Sequence, residues 1–439
     1  MIFTVSGTQI YCMWLRFMGA KIGKDVFISP ENGGFREIDF MNIGDNCVLM
    51  TPNIHAHYTD HGQLQFCSII LEDKVEINFG STIMPLTQYK EGCRLRPHAV
   101  TVKGQICDNG IAYFGNPCKV DAALTSFEYA AILFPGQGSQ YPGLMDKLSH
   151  MPHVQEMLSV ANEVLGWELL ERCNLNAEDI DNTINAQPIM FLAGLAHVEL
   201  MKQIHPTMFS KVKAVAGFSL GEITALCYAG AISFVDALKL VKVRAEVMSK
   251  YNGGAMCNIR ELSLVDVKSL CRKTGCTIAN IICNHEEKEL EKFNIFVCAG
   301  SSKEVSLLVS TVEEMESGKS KKLRVSGAFH SKHMIMAKRA LIDTFNSINI
   351  SLPTDKLIYS NVTGRPYRSV NEIRQNLKKH LVSPVLWHDT IQSMIKEEDI
   401  VAFVECGPMD VLSKTVQAIV KGQLDEECQH TFKIFSSDK

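Results

Sequence analysis

The sequence predicts an α/β chain in two parts: a parallel β-helix over residues 1–122 and, after a short polar linker at 123–128, a mostly parallel sheet with helices on its faces over residues 129–439. Three observations lead there. A six-residue apolar register runs through the first part. Strand-like runs alternate with helical ones in the second. The composition, 46% hydrophobic and 21% charged, is that of a folded globular protein.

A chain of 439 residues exceeds what one core usually organises, so two domains are expected. The net charge of -4 gives no general attraction to nucleic acid or to anionic membranes. Fifteen cysteines are scattered from Cys12 to Cys428 with no C-x-x-C pair and no zinc-ligand spacing, which suits a reducing compartment better than a disulfide framework. The longest apolar stretches, such as residues 190–198, are interrupted and too short to span a bilayer, so the chain is expected to be soluble. Residues 1–18 hold one arginine and lack a basic start and a small-residue cleavage site. No secretory or organellar address is convincing there, and the expected location is the cytoplasm or the reducing interior of an organelle.

In the first part Leu71, Ile77, Ile83, Tyr89, Leu95, Thr101 and Cys107 fall on one six-residue register, and Ile-Gly-Lys-Asp-Val-Phe-Ile (22–28) and Ile-Gly-Asp-Asn-Cys-Val-Leu (43–49) repeat the idea upstream. Such a period buries one stack of side chains per six-residue face of a parallel coil. A set of short antiparallel strands is the competing reading, because two register positions are polar or weakly apolar. The segment beginning Met18-Gly-Ala-Lys-Ile-Gly-Lys-Asp-Val and ending Gly115-Asn116-Pro117 resembles the left-handed β-helix of hexapeptide-repeat proteins, especially the carboxy-terminal portion of adenylating, synthetase-like enzymes. Some hexapeptide transferases use a histidine base, which singles out His55, His57 and His61. A polar loop surface over residues 53–63 is the simpler reading of that cluster.

In the second part the runs 129–134, 212–216, 322–325, 357–359 and 400–404 read as strands, each before a turn and an amphipathic stretch. Ligands in such folds gather at the carboxyl ends of the strands. Residues 214–226 form an apolar strand, a Gly217-Phe-Ser219-Leu-Gly221 turn and a helix, so Ser219 Oγ is presented as a nucleophile and the helix start aims free N–H groups at a forming oxyanion. Phe-Pro-Gly-Gln-Gly-Ser-Gln (134–140) lacks the Gly-Lys-Ser/Thr ending of a phosphate loop. It is read instead as backbone held close to a ligand, with the Gln137 N–H as second oxyanion donor beside the Leu220 N–H.

Arg244 lies on a helix opened by Ser233 with Asp236 three residues on, a capping-box arrangement. Ala237, Val241, Arg244 and Met248 share its apolar face, so the guanidinium emerges where it needs an anion. A core carboxylate and a substrate carboxylate are the two candidates. His330, in Arg324-Val-Ser-Gly-Ala-Phe-His330-Ser331 at an expected strand-to-helix edge, is the candidate base, and His333 one turn on reads as solvated. No acid is obviously placed as a third member, and a backbone carbonyl can orient the imidazole instead.

Residues 129–439 resemble the malonyl-CoA:acyl carrier protein transacylases, with details favouring mitochondrial-type members. The likeness rests on Phe-Pro-Gly-Gln-Gly-Ser-Gln (134–140), Ala-Gln-Pro (186–188), Gly-Phe-Ser-Leu-Gly-Glu (217–222), Val-Lys-Val-Arg-Ala-Glu-Val-Met (241–248), Val-Ser-Gly-Ala-Phe-His-Ser (325–331), Tyr-Ser-Asn-Val-Thr-Gly (359–364), Leu-Val-Ser-Pro-Val-Leu-Trp (381–387) and Glu-Cys-Gly-Pro (405–408), in family order. It implies an α/β-hydrolase-like acyltransferase domain with a small ferredoxin-like subdomain at about 253–321, whose usual pattern is displaced by the charged run 285–292. It further implies Ser219 as nucleophile, His330 as base, Gln137 and Leu220 as oxyanion-hole amides, and Arg244 on the malonyl carboxylate. Gln187, Met248 and Phe329 fall beside the acyl group, with Ala-Phe-His (328–330) matching the malonyl-selective variant. The carbonyl of His380 is expected on the catalytic imidazole, and Phe218 replaces the histidine usual in bacterial members.

The implied reaction passes a malonyl group from malonyl-CoA through Ser219 to the phosphopantetheine thiol of an acyl carrier protein, in fatty-acid or polyketide synthesis, without metal or other cofactor. A G-x-S-x-G serine hydrolase or thioesterase is the alternative enzyme. A different class remains open as well: an assembly component in which the β-helix docks or trimerises, making the chain a homo-oligomer.

Overall fold

The computed structural model describes residues 9–29, 40–50, 52–60, 62–96, 99–120, 129–251, 253–315, 317–398, 400–421 and 433–437. The chain divides into two units, Met1–Phe127 and Glu128–Lys439. The expected linker at 123–128 lies outside the described residues, as does His61.

In the first unit, strands of two to four residues pair mostly in parallel and form three sheets. One runs through Lys21–Ile22, Met41–Ile43, Ile69–Leu71, Gln88–Tyr89 and Ile106–Cys107. A second runs through Phe27–Ser29, Val48–Met50, Glu76–Ile77, Arg94–Leu95 and Ala112–Phe114, with Lys119–Val120 added antiparallel. The third pairs Asn53–Ile54 with Thr82–Ile83, and Thr82 with Val100. Ile70 faces Gln88, Glu76 faces Arg94 and Thr82 faces Val100, so the pairing recurs every 18 residues and each six-residue step visits the next sheet. The antiparallel hairpin of His57–Asp60 and Gln63–Phe66 is inserted in this rhythm.

All seven residues of the apolar register are buried, none more than 2% exposed. The polar member is accommodated because the Tyr89 hydroxyl donates to Thr101 Oγ1 at 3.2 Å, which satisfies both groups inside the stack. Of the histidines singled out, His55 is exposed and His57 packs against Phe66, its ring 5.9 Å away.

The second unit holds two five-stranded sheets. The first is parallel throughout, in the order Leu357–Ile358, Val212–Gly217, Ala130–Phe134, Ala402–Glu405, Lys433–Ser436. The last of these strands is absent from the sequence reading, since residues 433–436 follow a polar run that carries no strand signal. The second sheet runs in the order Lys319–Lys322, Ala255–Arg260, Ile295–Gly300, Thr277–Cys283, Val385–Leu386. Helices Leu264–Thr274 and Ser302–Glu313 interleave with its first four strands in a β-α-β-β-α-β sequence, and those strands pair antiparallel.

The strand expected at 322–325 is displaced. It occupies Lys319–Lys322 and belongs to the antiparallel sheet, not the parallel one. Leu323 and Val325 carry the apolar alternation that suggests a strand, but the backbone ladder forms three residues earlier, through an exposed lysine-rich edge where charge discourages further pairing. Residues 323–329 then run free of regular structure and deliver His330.

Candidate active site

Ser219 occupies the turn between strand Val212–Gly217 and helix Leu220–Tyr228, with φ 53° and ψ -109°, a conformation that costs a non-glycine residue free energy. The surrounding backbone enforces it. A Cβ on Gly217 would lie 1.8 Å from the Gly221 carbonyl carbon, and one on Gly221 would lie 2.1 Å from the Phe134 carbonyl oxygen. Both glycines are therefore required by close approach, and the Phe218 N–H donating to Phe134 O at 2.9 Å welds the turn to the 134–140 loop.

Three groups converge on Ser219. Its hydroxyl lies 2.8 Å from His330 Nε2, and Arg244 Nη2 donates to the same Oγ at 3.1 Å. His330 Nδ1 is 3.0 Å from the His380 carbonyl and 3.2 Å from that of Ser383. Two carbonyls can only accept, so they fix the proton on Nδ1 and leave the Nε2 lone pair facing Ser219. Burial, then the charges around His380 and Arg244, lower the His330 pKa to about 3, opposed by the two carbonyl contacts. The imidazole is neutral at physiological pH and free to take a proton.

Arg244 is 2% exposed on helix Phe234–Lys250, whose Ser233 cap accepts from the Asp236 N–H. Its Nη1 donates to Gln187 Oε1 at 2.6 Å, and Gln187 Nε2 in turn contacts the Met248 sulfur at 3.3 Å. Among the described residues Arg244 has no carboxylate partner within ion-pair distance, and its Nε is buried with no acceptor. Burial lowers its pKa to about 10, with Glu222 opposing, so it remains charged. A buried guanidinium held by a neutral amide and a hydroxyl calls for an anion from outside the protein.

Gln137, Leu220, Phe329 and Met248 line the same cavity of about 460 Å³ as Ser219, Arg244 and His330. The Gln137 side chain is occupied with Asp181 O and Thr183 Oγ1. Neither the Gln137 nor the Leu220 backbone N–H has an acceptor among the described residues, whereas the Ser219 N–H is held by Asn361 Oδ1 at 2.7 Å. Gln187 lies one shell out, fully buried behind Arg244. The structure thus brings together every site residue picked out in the second unit, and His333 stands apart near Glu304.

Sequence reasoning missed the support beneath the turn. Asn361 accepts from Ser219 N, donates from Nδ2 to Gly217 O at 2.6 Å, and gives its own N–H to Glu222 Oε2 at 2.8 Å. Glu222 also accepts from the Tyr367 hydroxyl and faces His380 Nε2 at 3.4 Å. Glu222 and Asn361 stand inside quoted motifs, but only their burial together marks them as a scaffold. Phe218, where bacterial members carry histidine, packs edge-on against Trp387 with rings 5.6 Å apart.

Comparison with known proteins gives the family. Residues 132–430 match the family model "Acyl transferase domain". The chain is 31% identical to the mitochondrial malonyl-CoA-acyl carrier protein transacylase of Mus musculus over 71% of its own length and 84% of that protein. The crystal structure of an acyl-carrier-protein S-malonyltransferase from Bartonella henselae superposes with a TM-score of 0.63 at 26% identity, covering 71% of this chain and 96% of that one. A malonyl-transacylase solved in complex with its type II polyketide acyl carrier protein gives a TM-score of 0.61 at 25% identity, over 70% of this chain and 94% of that one. The chain belongs to the acyl transferase family that these transacylases represent.

The His330 environment sets a pH expectation. In the unfolded chain the imidazole takes up a proton below about 6.5, while the folded one resists protonation until about pH 3. Stability present above the unfolded value is therefore lost as the pH falls through that window. Acid unfolding of the wild type and of His330→Asn, followed by circular dichroism between pH 7 and pH 4, should show a shallower pH dependence for the variant. The rate of serine acylation should show no inflection near pH 6.5.

Proposed function

We propose that this protein is a malonyl-CoA:acyl carrier protein transacylase that carries the acyl group on Ser219. The observation that bears most weight is the Arg244 guanidinium, buried without a carboxylate at ion-pair distance among the described residues and hydrogen-bonded to the nucleophile, since an acyl group ending in an anion completes that site.

Ser219 Oγ attacks the thioester carbonyl while its proton passes to His330 Nε2. The Gln137 and Leu220 N–H groups hold the oxyanion, and the malonyl carboxylate sits on Arg244 with Gln187 bracing the guanidinium and Met248 and Phe329 closing around the acyl chain. The C–S bond breaks and coenzyme A leaves as a thiol with the proton from His330. In the second half the carrier's phosphopantetheine thiol gives its proton to Nε2, its sulfur attacks the serine ester, and Ser219 recovers the proton. No carbon changes oxidation state, so the reaction calls for no redox cofactor. The two carbonyls on His330 Nδ1 favour this reading over a hydrolase with a carboxylate-supported histidine.

Residues 129–439 are assigned to the transferase domain. The β-α-β-β-α-β order supports a ferredoxin-like subdomain at about 253–321. Residues 1–122 are assigned to a left-handed β-helix, supported by the 18-residue recurrence over three sheets. Its helix Gln9–Phe17 buries Tyr11, Cys12 and Leu15 but exposes Ile10, Met13, Trp14 and Phe17, the last by 87%, and this second apolar stripe supports association with another copy. A reducing compartment suits the described cysteines, all free thiols, and the mouse relative is mitochondrial. No described helix is long and apolar enough to cross a membrane.

Incubation with malonyl-CoA should add one malonyl group to the wild type by intact mass and none to Ser219→Ala; persistent labelling of that variant would move the nucleophile elsewhere. Arg244→Ala should lower malonyl transfer roughly a hundredfold, the effect of removing one partner of a buried charge pair, and acetyl transfer far less. Equal losses would return Arg244 to a structural role. Light scattering should show a smaller particle for the double variant Ile10→Glu/Phe17→Glu than for the wild type if the exposed stripe joins copies.

A further inference from the structure

Beside Ser219 the cavity is also lined by one face of the second, largely antiparallel sheet. Met256 and Asn258 come from strand Ala255–Arg260, Val297 from Ile295–Gly300, and Asn280 and Ile282 from Thr277–Cys283. Residues two apart on a strand share a face, so these side chains form one continuous surface. Asn258 and Asn280 both pair in register with Val297 and therefore stand in a single row, one on each side of it.

The two asparagines are anomalous there. Asparagine is depleted in strands, and the neighbours Met256, Val297 and Ile282 show that the face accepts apolar side chains. Asn280 is only 7% exposed. Oδ1 of both residues is buried without a hydrogen-bond partner among the described residues. Unsatisfied buried acceptors weaken a fold, so two of them flanking one valine in a cavity wall point to a ligand that satisfies them.

The acyl group is not that ligand. A malonyl group has two carbonyl carbons and no N–H or O–H donor once ionised, and its carboxylate is served by Arg244. The donor-bearing part that both substrates share, next to the thioester, is the pantetheine arm, whose two secondary amides each offer one N–H and one C=O. A carboxamide matches such an amide in both senses, and rotation about its last side-chain bond presents either oxygen or nitrogen to the cavity.

On the reading of Ser219 as a malonyl carrier, we propose that Asn258 and Asn280 hydrogen-bond the amides of the pantetheine arm and so recognise the segment common to coenzyme A and the carrier protein. The pair acts as a specificity determinant for both halves of the reaction. It aligns the thioester by its arm, independently of the anion site at Arg244.

The test compares two malonyl donors, malonyl-CoA and S-ethyl malonyl thioester, which lacks both amides, on wild type, Asn258→Leu, Asn280→Leu and the double variant. Acylation of Ser219 is followed by intact mass, and thermal unfolding is measured without substrate. Each single substitution should lower kcat/KM for malonyl-CoA about fivefold, the worth of one ordinary hydrogen bond, and leave the S-ethyl thioester unchanged. The melting temperature should hold or rise, because an unpaired buried acceptor is removed. Equal loss on both donors, no loss on either, or a lowered melting temperature in both single variants would overturn the proposal. The singles keep the comparison if the double variant does not fold. A wild type that acylates from the S-ethyl thioester but gains no advantage from the arm would overturn this proposal alone, whereas one that takes malonyl from neither donor would overturn the Ser219 reading with it.

Discussion

The site depends on one steric constraint: the backbone around Ser219 passes so close to itself and to the first strand that only glycine fits at 217 and 221. That closeness forces Ser219 into a positive φ and presents Oγ to His330 and Arg244. It also leaves the Leu220 N–H without a helical acceptor at the opening of its helix, facing the cavity. On the proposed mechanism, nucleophile and oxyanion donor are products of the same turn. The strain is held by the Asn361 carboxamide, which bridges the Ser219 N–H and the Gly217 carbonyl, and by Glu222 beneath it.

Around this turn the electrostatics divide between two buried groups. His330 is stripped of water and lies near the charge of Arg244, so it stays neutral, while two carbonyls choose its tautomer. Arg244 is stripped of water too, but a guanidinium gives up its proton far less readily and remains a cation. A neutral base beside a fixed cation suits an acyl group that carries its own negative charge. On the proposed mechanism the cation stabilises the malonyl carboxylate, and the base is never consumed in pairing with it.

Much of this was legible in the sequence because it is local. The six-residue register from Leu71 to Cys107 predicted a buried column, and every member is buried. The turn at Ser219, the capped helix under Arg244 and the histidine after Ala328-Phe329 are each written in a few consecutive residues. What failed was also physical. The strand expected at 322–325 forms at Lys319–Lys322, because pairing with Ala255–Arg260 decided its register and apolar alternation did not. The strand Lys433–Ser436 owes its existence to the edge offered by Ala402–Glu405.

By itself the sequence determined which residue types stood ready: a serine in a glycine turn, a cation on an apolar helix face, a histidine and a backbone-rich loop. Only the tertiary structure decided that, among the described residues, Arg244 has no carboxylate within ion-pair distance and Asn258 and Asn280 leave Oδ1 unpaired beside the cavity, that His330 is oriented by the carbonyls of His380 and Ser383, and that Glu222 and Asn361 support the turn. The reason is distance. These partners lie tens to more than a hundred residues apart along the chain, and whether a buried polar group is satisfied depends on what folds against it, which no local pattern encodes.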